Sequence, residues 1–484
     1  MSLPSSKGTS PSSSRRVSPD HGVDNEDQDN GRDEAELREL SEDLKLLDEQ
    51  TERAARMIVF KRNKYIFLLQ SMLLGMSYSM VWPTLLRYMT QSATPLVNNK
   101  PILNRVMYGI TYVAYPLGSM VSAKVVEKTR FSNTKKMILF LNTLEIIGNL
   151  MYTVSLVPFL PAIGRFVAGL GDAFYVVLMR EMHKYAEMSN ERLTIECLAA
   201  FVMGVILSPG INILTTFLHF RVGTLSINEN NFPGLTIAVL FLIMQLIVAV
   251  FVIDSGETED GTDQNRVSKD DQAKTGNRFL EAAEYIKGLE YSAWFVNGFS
   301  FVYTYIVGLF ELIIPFLMYE RLQSSPIGVM LLYAIIGTMY AMFLLMTMTV
   351  SFEYQPEVFV CLTVLVEIAG LFAVMYFYWL TKYTIAADIV AMSVIVLAVC
   401  TMWSVDDVLF INFVQMFVPH HQKEKSHNVR KLVSKIAFVL AGVTIPLFHP
   451  DLLFYFIPVL IVIVCILFVN FAIVKYLTSV QKAV

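Results

Sequence analysis

The chain has 484 residues, 54% of them hydrophobic and 17% charged, with a formal net charge of -4. This balance excludes an ordinary soluble domain and fits a polytopic helical membrane protein. No basic face for nucleic acid emerges, and Cys197, Cys361, Cys400 and Cys465 lie in or beside apolar runs without metal-ligand spacing, so neither a disulfide framework nor a metal site is expected.

Residues 1–56 form a cytosolic region rich in Ser, Pro and acidic residues, with too little apolar surface to offset the entropy of ordering, and are read as disordered. No apolar segment occurs before about residue 65, which argues against a secretory signal peptide. Within this region Leu37, Leu40, Leu44 and Leu47 recur at heptad-like spacing and predict a short amphipathic helix. The same stretch places Glu42 ahead of the pair Leu46-Leu47. That pattern resembles the acidic dileucine signal of endosomal and lysosomal membrane proteins, which would make clathrin adaptors partners; it reads equally as the leucine face of a helix.

Twelve apolar spans follow, near 65–86, 102–125, 137–157, 159–182, 193–218, 233–253, 292–318, 326–350, 357–380, 388–418, 432–448 and 451–474. The polar segment 254–291 is the longest connection and divides two six-helix halves, 57–253 and 292–476, with 477–484 as a tail. With both termini cytosolic, 25 Lys and Arg from residue 51 onward fall on or beside the cytosolic side and six on the opposite side, as the positive-inside rule requires. Loop 8–9, SFEYQPE, contributes none.

Short motifs sit on these spans. Arg165-Phe-Val-Ala-Gly169-Leu-Gly171 in span 4 looks like the R-x-x-x-G-x-G motif of the major facilitator superfamily, and the stretch from Arg180 to Arg192 resembles its loop 4–5 signature. Gly204-Val-Ile-Leu-Ser-Pro209-Gly210 is similar to its span 5 G-x-x-x-G-P motif, with Ser208 in place of a glycine. The loop 2–3 motif matches only in its basic finish, Lys135-Lys136, which weakens the expected latch between the halves. The resemblance implies an all-α polytopic membrane protein with twelve helices in two halves that rock around a central site. Within the superfamily, Val81-Trp82-Pro83-Thr84-Leu85 in span 1 and Leu309-Phe310-Glu311-Leu312-Ile313-Ile314 in span 7 resemble the lysosomal proteins whose loss causes a neuronal ceroid lipofuscinosis. That family implies an endolysosomal membrane, with the plasma membrane as second choice, and chloride conduction as one described activity. No N-x-S/T sequon occurs in the chain, a departure from commonly glycosylated lysosomal proteins.

Ionisable residues at membrane depth are the candidates for chemistry: Glu145 in span 3, Arg165 and Asp172 in span 4, Glu311 in span 7, Glu367 in span 9, and Asp406 and Asp407 in span 10. A charge at the bilayer centre costs about 2.5–3.5 kcal/mol, so each needs protein, water or a partner around it. Arg165 and Asp172 are two helical turns apart and share a face, and Gly169 and Gly171 between them admit a close neighbour. Three readings remain open. The carboxylates exchange protons as their surroundings change; Arg165 offers fixed charge to an anion; or Arg165 pairs with Glu145 or Asp172 to hold helices together. His420, His421 and His427 are read as a solvated loop, and Tyr78, Trp82 and Tyr112 as interface anchors or pocket lining. With no nucleotide loop, hydrolase elbow or metalloprotease motif, neither an enzyme nor a cofactor is expected. The reading is a proton-coupled secondary transporter of a small solute, an anion among the candidates. A chloride channel on the same fold and a transport-inactive scaffold or sensor are its alternatives.

Overall fold

The computed structural model describes residues 26–91, 101–128, 133–154, 157, 159–183, 190–222, 225–253, 291–350, 356–379, 384–418, 422–447 and 450–483. The linker 254–290, most of the basic loop 4–5, and His420 and His421 lie outside them, as does the side chain of His427. The chain divides into two units, Met1–Ile58 and Val59–Val484.

In the first unit the chain is helical from Glu26, within α1 (Glu26–Ser79), where the sequence was expected to be disordered with only a short helix. The physical reason lies in DEAELRELSEDLKLLDEQ, a run of strong helix formers that needs no buried face to favour helix. Leu40, Leu44, Leu46 and Leu47 are all exposed.

The second unit is a helical assembly. It contains the rest of α1, then α2 (Trp82–Gln91), α3 (Pro101–Lys128), α4 (Thr134–Thr153), α5 (Leu160–Gly171), α6 (Phe174–His183), α7 (Asn190–Thr215) and α8 (Phe232–Phe251). After the linker come α9 (Tyr291–Phe316), α10 (Pro326–Val350), α11 (Pro356–Trp379), α12 (Ile385–Phe417), α13 (Lys423–Leu447) and α14 (Pro450–Ala483). A helix thus stands at each of the twelve predicted positions. Among the described residues, eight helical segments are long and apolar enough to cross a membrane. Large apolar side chains on the outside, such as Val250, Leu345, Ile385 and Val459, are exposed as a lipid-facing surface requires.

Local sequence explains where the structure departs from continuous spans. Span 1 breaks between α1 and α2 because Pro83 has no N–H for the carbonyl four residues back. Span 4 breaks at Asp172, which caps α5 before α6 resumes at Phe174. A π-helical turn, Leu317–Arg321, ends α9 two residues after Pro315. Between α7 and α8, a short hairpin pairs β1 (Phe220–Val222) with β2 (Leu225–Ile227), Phe220 opposite Ile227. Strands of three residues carry too little alternation to show in the sequence.

Packing separates two helix groups. Before the linker, α5 packs on α3 and α4, and α4 on α8; after it, α9 packs on α13, and α12 on α10 and α11. The groups meet where α3 lies along α13, α7 along α10, and α2 against α9 and α10. Within the first group the crossings are backbone on backbone, with a glycine on each helix. A methyl on Gly169 would overlap the Tyr115 carbonyl, and one on Gly118 the Phe166 carbonyl; Gly204 and Gly75 stand in the same relation to Met72 and Phe201. Such contacts are closed to any side chain.

The two glycines of the span 5 motif therefore differ in kind. Gly204→Ala drives a methyl into the Met72 carbonyl and is expected to destabilise by about 1–3 kcal/mol. Gly210, with open space where its Cβ would be, is expected to tolerate alanine or gain up to about 1 kcal/mol from helix propensity. Thermal melts of the two purified variants check both.

Candidate functional site

The first polar centre grows out of the break in span 1. With the helix ending at Ser79, the carbonyls of Ser77 and Tyr78 lose the donors that a continuing helix would supply. Arg165 of α5 replaces them, donating from Nη1 to Ser77 O at 2.9 Å and from Nη2 to Tyr78 O at 3.4 Å. Its guanidinium lies over the Tyr115 ring, 4.3 Å from the centroid. Asn212 of α7 donates to the Met80 carbonyl, and Ser208, the residue that replaces a motif glycine, meets Ser79 at 2.6 Å. Gly204, Ser208 and Asn212 lie at successive turns of α7, so the span 5 motif both admits α1 and satisfies its end.

Glu145 lies beside this break and is fully buried. Its carboxylate accepts from Ser77 Oγ at 2.8 Å, Asn149 Nδ2 at 3.0 Å and Tyr115 OH at 3.2 Å. Three donors from three elements hold the carboxylate. Among the described residues no ion pair joins Arg165 to Glu145 or Asp172, contrary to the pairing weighed from sequence. Asp172 accepts from Ser119 Oγ at 2.6 Å, and Lys435 of α13 lies 3.5 Å from that hydroxyl, so Asp172 faces the other helix group. Gly171 makes room for the Glu145 side chain, which a Cβ there would strike.

Glu311 forms a second centre, where the groups meet. It is 3% exposed on α9, and Tyr112 of α3, across the boundary, donates to its Oε2. Its Oε1 has no hydrogen-bond partner among the described residues, and Trp403 adjoins the carboxyl group. Tyr333 OH reaches the Glu311 backbone carbonyl at 3.3 Å. Rings from both groups line the surroundings: Trp82 is 4.6 Å from Tyr78, 5.3 Å from Trp403 and 6.3 Å from Tyr333, and Tyr340 is 5.3 Å from Trp403. Trp82 and Tyr112 are buried here, so they are core residues and not the membrane-interface anchors weighed above.

The remaining candidates join neither centre. Glu367 is buried on α11, and its Oε1 lacks a partner among the described residues. Asp406 and Asp407 lie on the helical backbone of α12, while their side chains fall outside the described set. No group of His, Cys, Asp and Glu suited to a metal occurs among the described residues. Sequence reasoning missed Ser77, Asn149, Lys435, Tyr333 and Trp403. Only Asn149 carried a signal, its four-residue spacing from Glu145.

Arg105 of α3 pairs with Glu320 of the π turn at 3.0 Å, and Tyr319 OH donates to Pro83 O at 2.9 Å. These contacts tie the two groups together beside the predicted loops 1–2 and 7–8.

No protein-family description matches the chain, and no curated protein matches it either. Solved structures do. The crystal structure of a D-xylose-proton symporter covers 84% of this chain and 97% of its own, at 12% identity and a TM-score of 0.63. The inward-open xylose transporter XylE from E. coli covers 84% and 95%, at 13% identity and 0.62. A POT family transporter in complex with 5-aminolevulinic acid covers 85% and 96%, at 11% identity and 0.61. The chain therefore has the major facilitator fold, and the proteins it resembles are membrane transporters and not enzymes.

Arg165→Met removes both donors to the broken helix end and the contact with Tyr115, and is expected to destabilise by roughly 3 kcal/mol. Arg165→Lys, a single point charge in place of a fork, is expected to recover only part of this, as a melting series of the two variants will read.

Proposed function

We propose that the chain is a secondary transporter that moves a small solute by alternating access, with proton coupling, in an endolysosomal membrane. The segments 57–253 and 292–476 are its two rocking halves. The observation that carries this reading is Glu311, an intramembrane carboxylate on the boundary between the helix groups, bonded across it by Tyr112. An ionisable group in that place changes its surroundings whenever the groups move apart, which is what coupling a proton to a conformational cycle needs. Resemblance to a proton symporter supports the same reading. Arg165 gives little support to an anionic solute, because its guanidinium is engaged by two carbonyls and a ring inside one group.

The Arg105–Glu320 pair offers a test of alternating access. In proteoliposomes with an acidic interior, addition of a lysosomal small-molecule extract is expected to drive proton release, read by a trapped pH dye. Arg105→Cys with Glu320→Cys, joined by a bifunctional thiol reagent, is expected to arrest that release, and a reducible reagent to restore it on cleavage. A chloride current that persists in the cross-linked protein would establish the channel reading instead.

The endolysosomal placement rests on the span 1 and span 7 resemblances and on Leu46 and Leu47, which are 54% and 59% exposed and thus accessible to an adaptor. Replacing both with alanine is expected to shift the full-length protein from lysosomes to the plasma membrane in imaging; unchanged targeting would remove the sorting role.

A further inference from the structure

The environment of Glu311 states what it is prepared to meet. Its Oε2 is bonded by Tyr112 and the Trp403 side chain approaches the carboxyl group, while Oε1 makes no complete hydrogen bond and no ion pair to it occurs among the described residues. The titratable side chains bonded to this residue are tyrosines: Tyr112 of α3 at Oε2 and Tyr333 of α10 at the backbone carbonyl. Among the described side chains, no Lys, Arg or His of α2, α12 or α13 counters it; Lys435 of α13 faces Ser119 instead, and Arg87 of α2 is engaged by Glu229. A buried carboxylate without a fixed counter-charge is neutralised either by a proton or by a mobile cation.

The walls decide which cation. A hard metal ion takes about six or more oxygen ligands, whereas the side chains beside this carboxylate include a tyrosine of one helix group and a tryptophan of the other. Tyr78, Trp82, Trp403 and Tyr340 run in a chain of ring contacts 4.6–5.3 Å apart, and Tyr78, Tyr340 and Trp403 are only partly buried. Aromatic rings beside a carboxylate attract ammonium groups through the ring quadrupole, the chemistry by which quaternary ammonium ions are recognised.

We propose that Glu311, with Tyr78, Trp82, Tyr340 and Trp403 around it, forms a binding site for an organic ammonium cation, which exchanges with a proton at the Glu311 carboxylate. This names the solute class for the transporter reading given above and rests on it. Proton and cation compete for one group, so the transporter moves them in opposite directions.

The test uses the full-length protein in proteoliposomes with an acidic interior and a trapped pH dye, with tetraethylammonium as the probe because its charge is permanent. External tetraethylammonium is expected to release internal protons saturably, while an equal concentration of glucose or sulfate does not. Glu311→Gln is expected to abolish this release. Trp403→Leu, which spares the carboxylate, is expected to raise the half-saturating concentration roughly tenfold. Should Glu311→Gln fail to fold, as judged by size-exclusion profile, Trp403→Leu and Tyr340→Leu carry the test. Absence of tetraethylammonium-driven release, or release unchanged in these variants, overturns the inference. If the lysosomal extract still drives proton release, the ammonium site alone is refuted; if neither drives it, the transporter reading falls too.

Discussion

A helix that ends in apolar surroundings leaves carbonyl groups that water cannot reach, and the first helix group is organised around one such end. Pro83 stops span 1, exposing the carbonyls of Ser77 and Tyr78, and Arg165 arrives from α5 to bond both. For the guanidinium to reach them, α5 must lie close to its neighbours, which Gly169 permits by admitting the Tyr115 backbone. Glu145 then joins through Ser77, and Tyr115 serves both charges, with its hydroxyl on the carboxylate and its ring under the guanidinium. The Trp82-Pro83 pattern of span 1 and the R-x-x-x-G-x-G motif of span 4 are thus two parts of one structural solution.

The two polar centres differ in where their bonds come from. Around Glu145 and Arg165 both charged groups are bonded within one helix group, although Asn149 Oδ1 and Asn212 Oδ1 make no hydrogen bond among the described residues, and such a network holds helices in a fixed relation. Around Glu311 one oxygen is bonded across the group boundary and the other is left open. This contrast separates a framework from a working site more clearly than the presence of charge in a span.

Much of the fold was legible because a bilayer imposes a length and an apolar composition that any helix crossing it must show. The span 4 and span 5 motifs were legible for a local reason, since glycine spacing reports close backbone approach. Other features had no local sign. Tyr112 and Glu311 lie 199 residues apart, and neither flank announces the other. Trp82 was weighed as an interface anchor because it sits near a span end, but the break at Pro83 turns it into the core. The region from Glu26 was misjudged in the opposite direction, because low apolar content argues against a packed core and says nothing against a helix built on local propensity.

The open oxygen of Glu311 has a consequence for leakage. A site with one carboxylate and no fixed cation is electrically neutral when it holds a proton or an ammonium ion, and carries a full negative charge when empty. Closing low-dielectric protein over a bare charge costs several kcal/mol, whereas closing over a neutral site does not. In the proposed cycle the empty carrier is therefore the one form that cannot change sides. Strict exchange then needs no dedicated gate, because the desolvation of a single carboxylate forbids the uncoupled step.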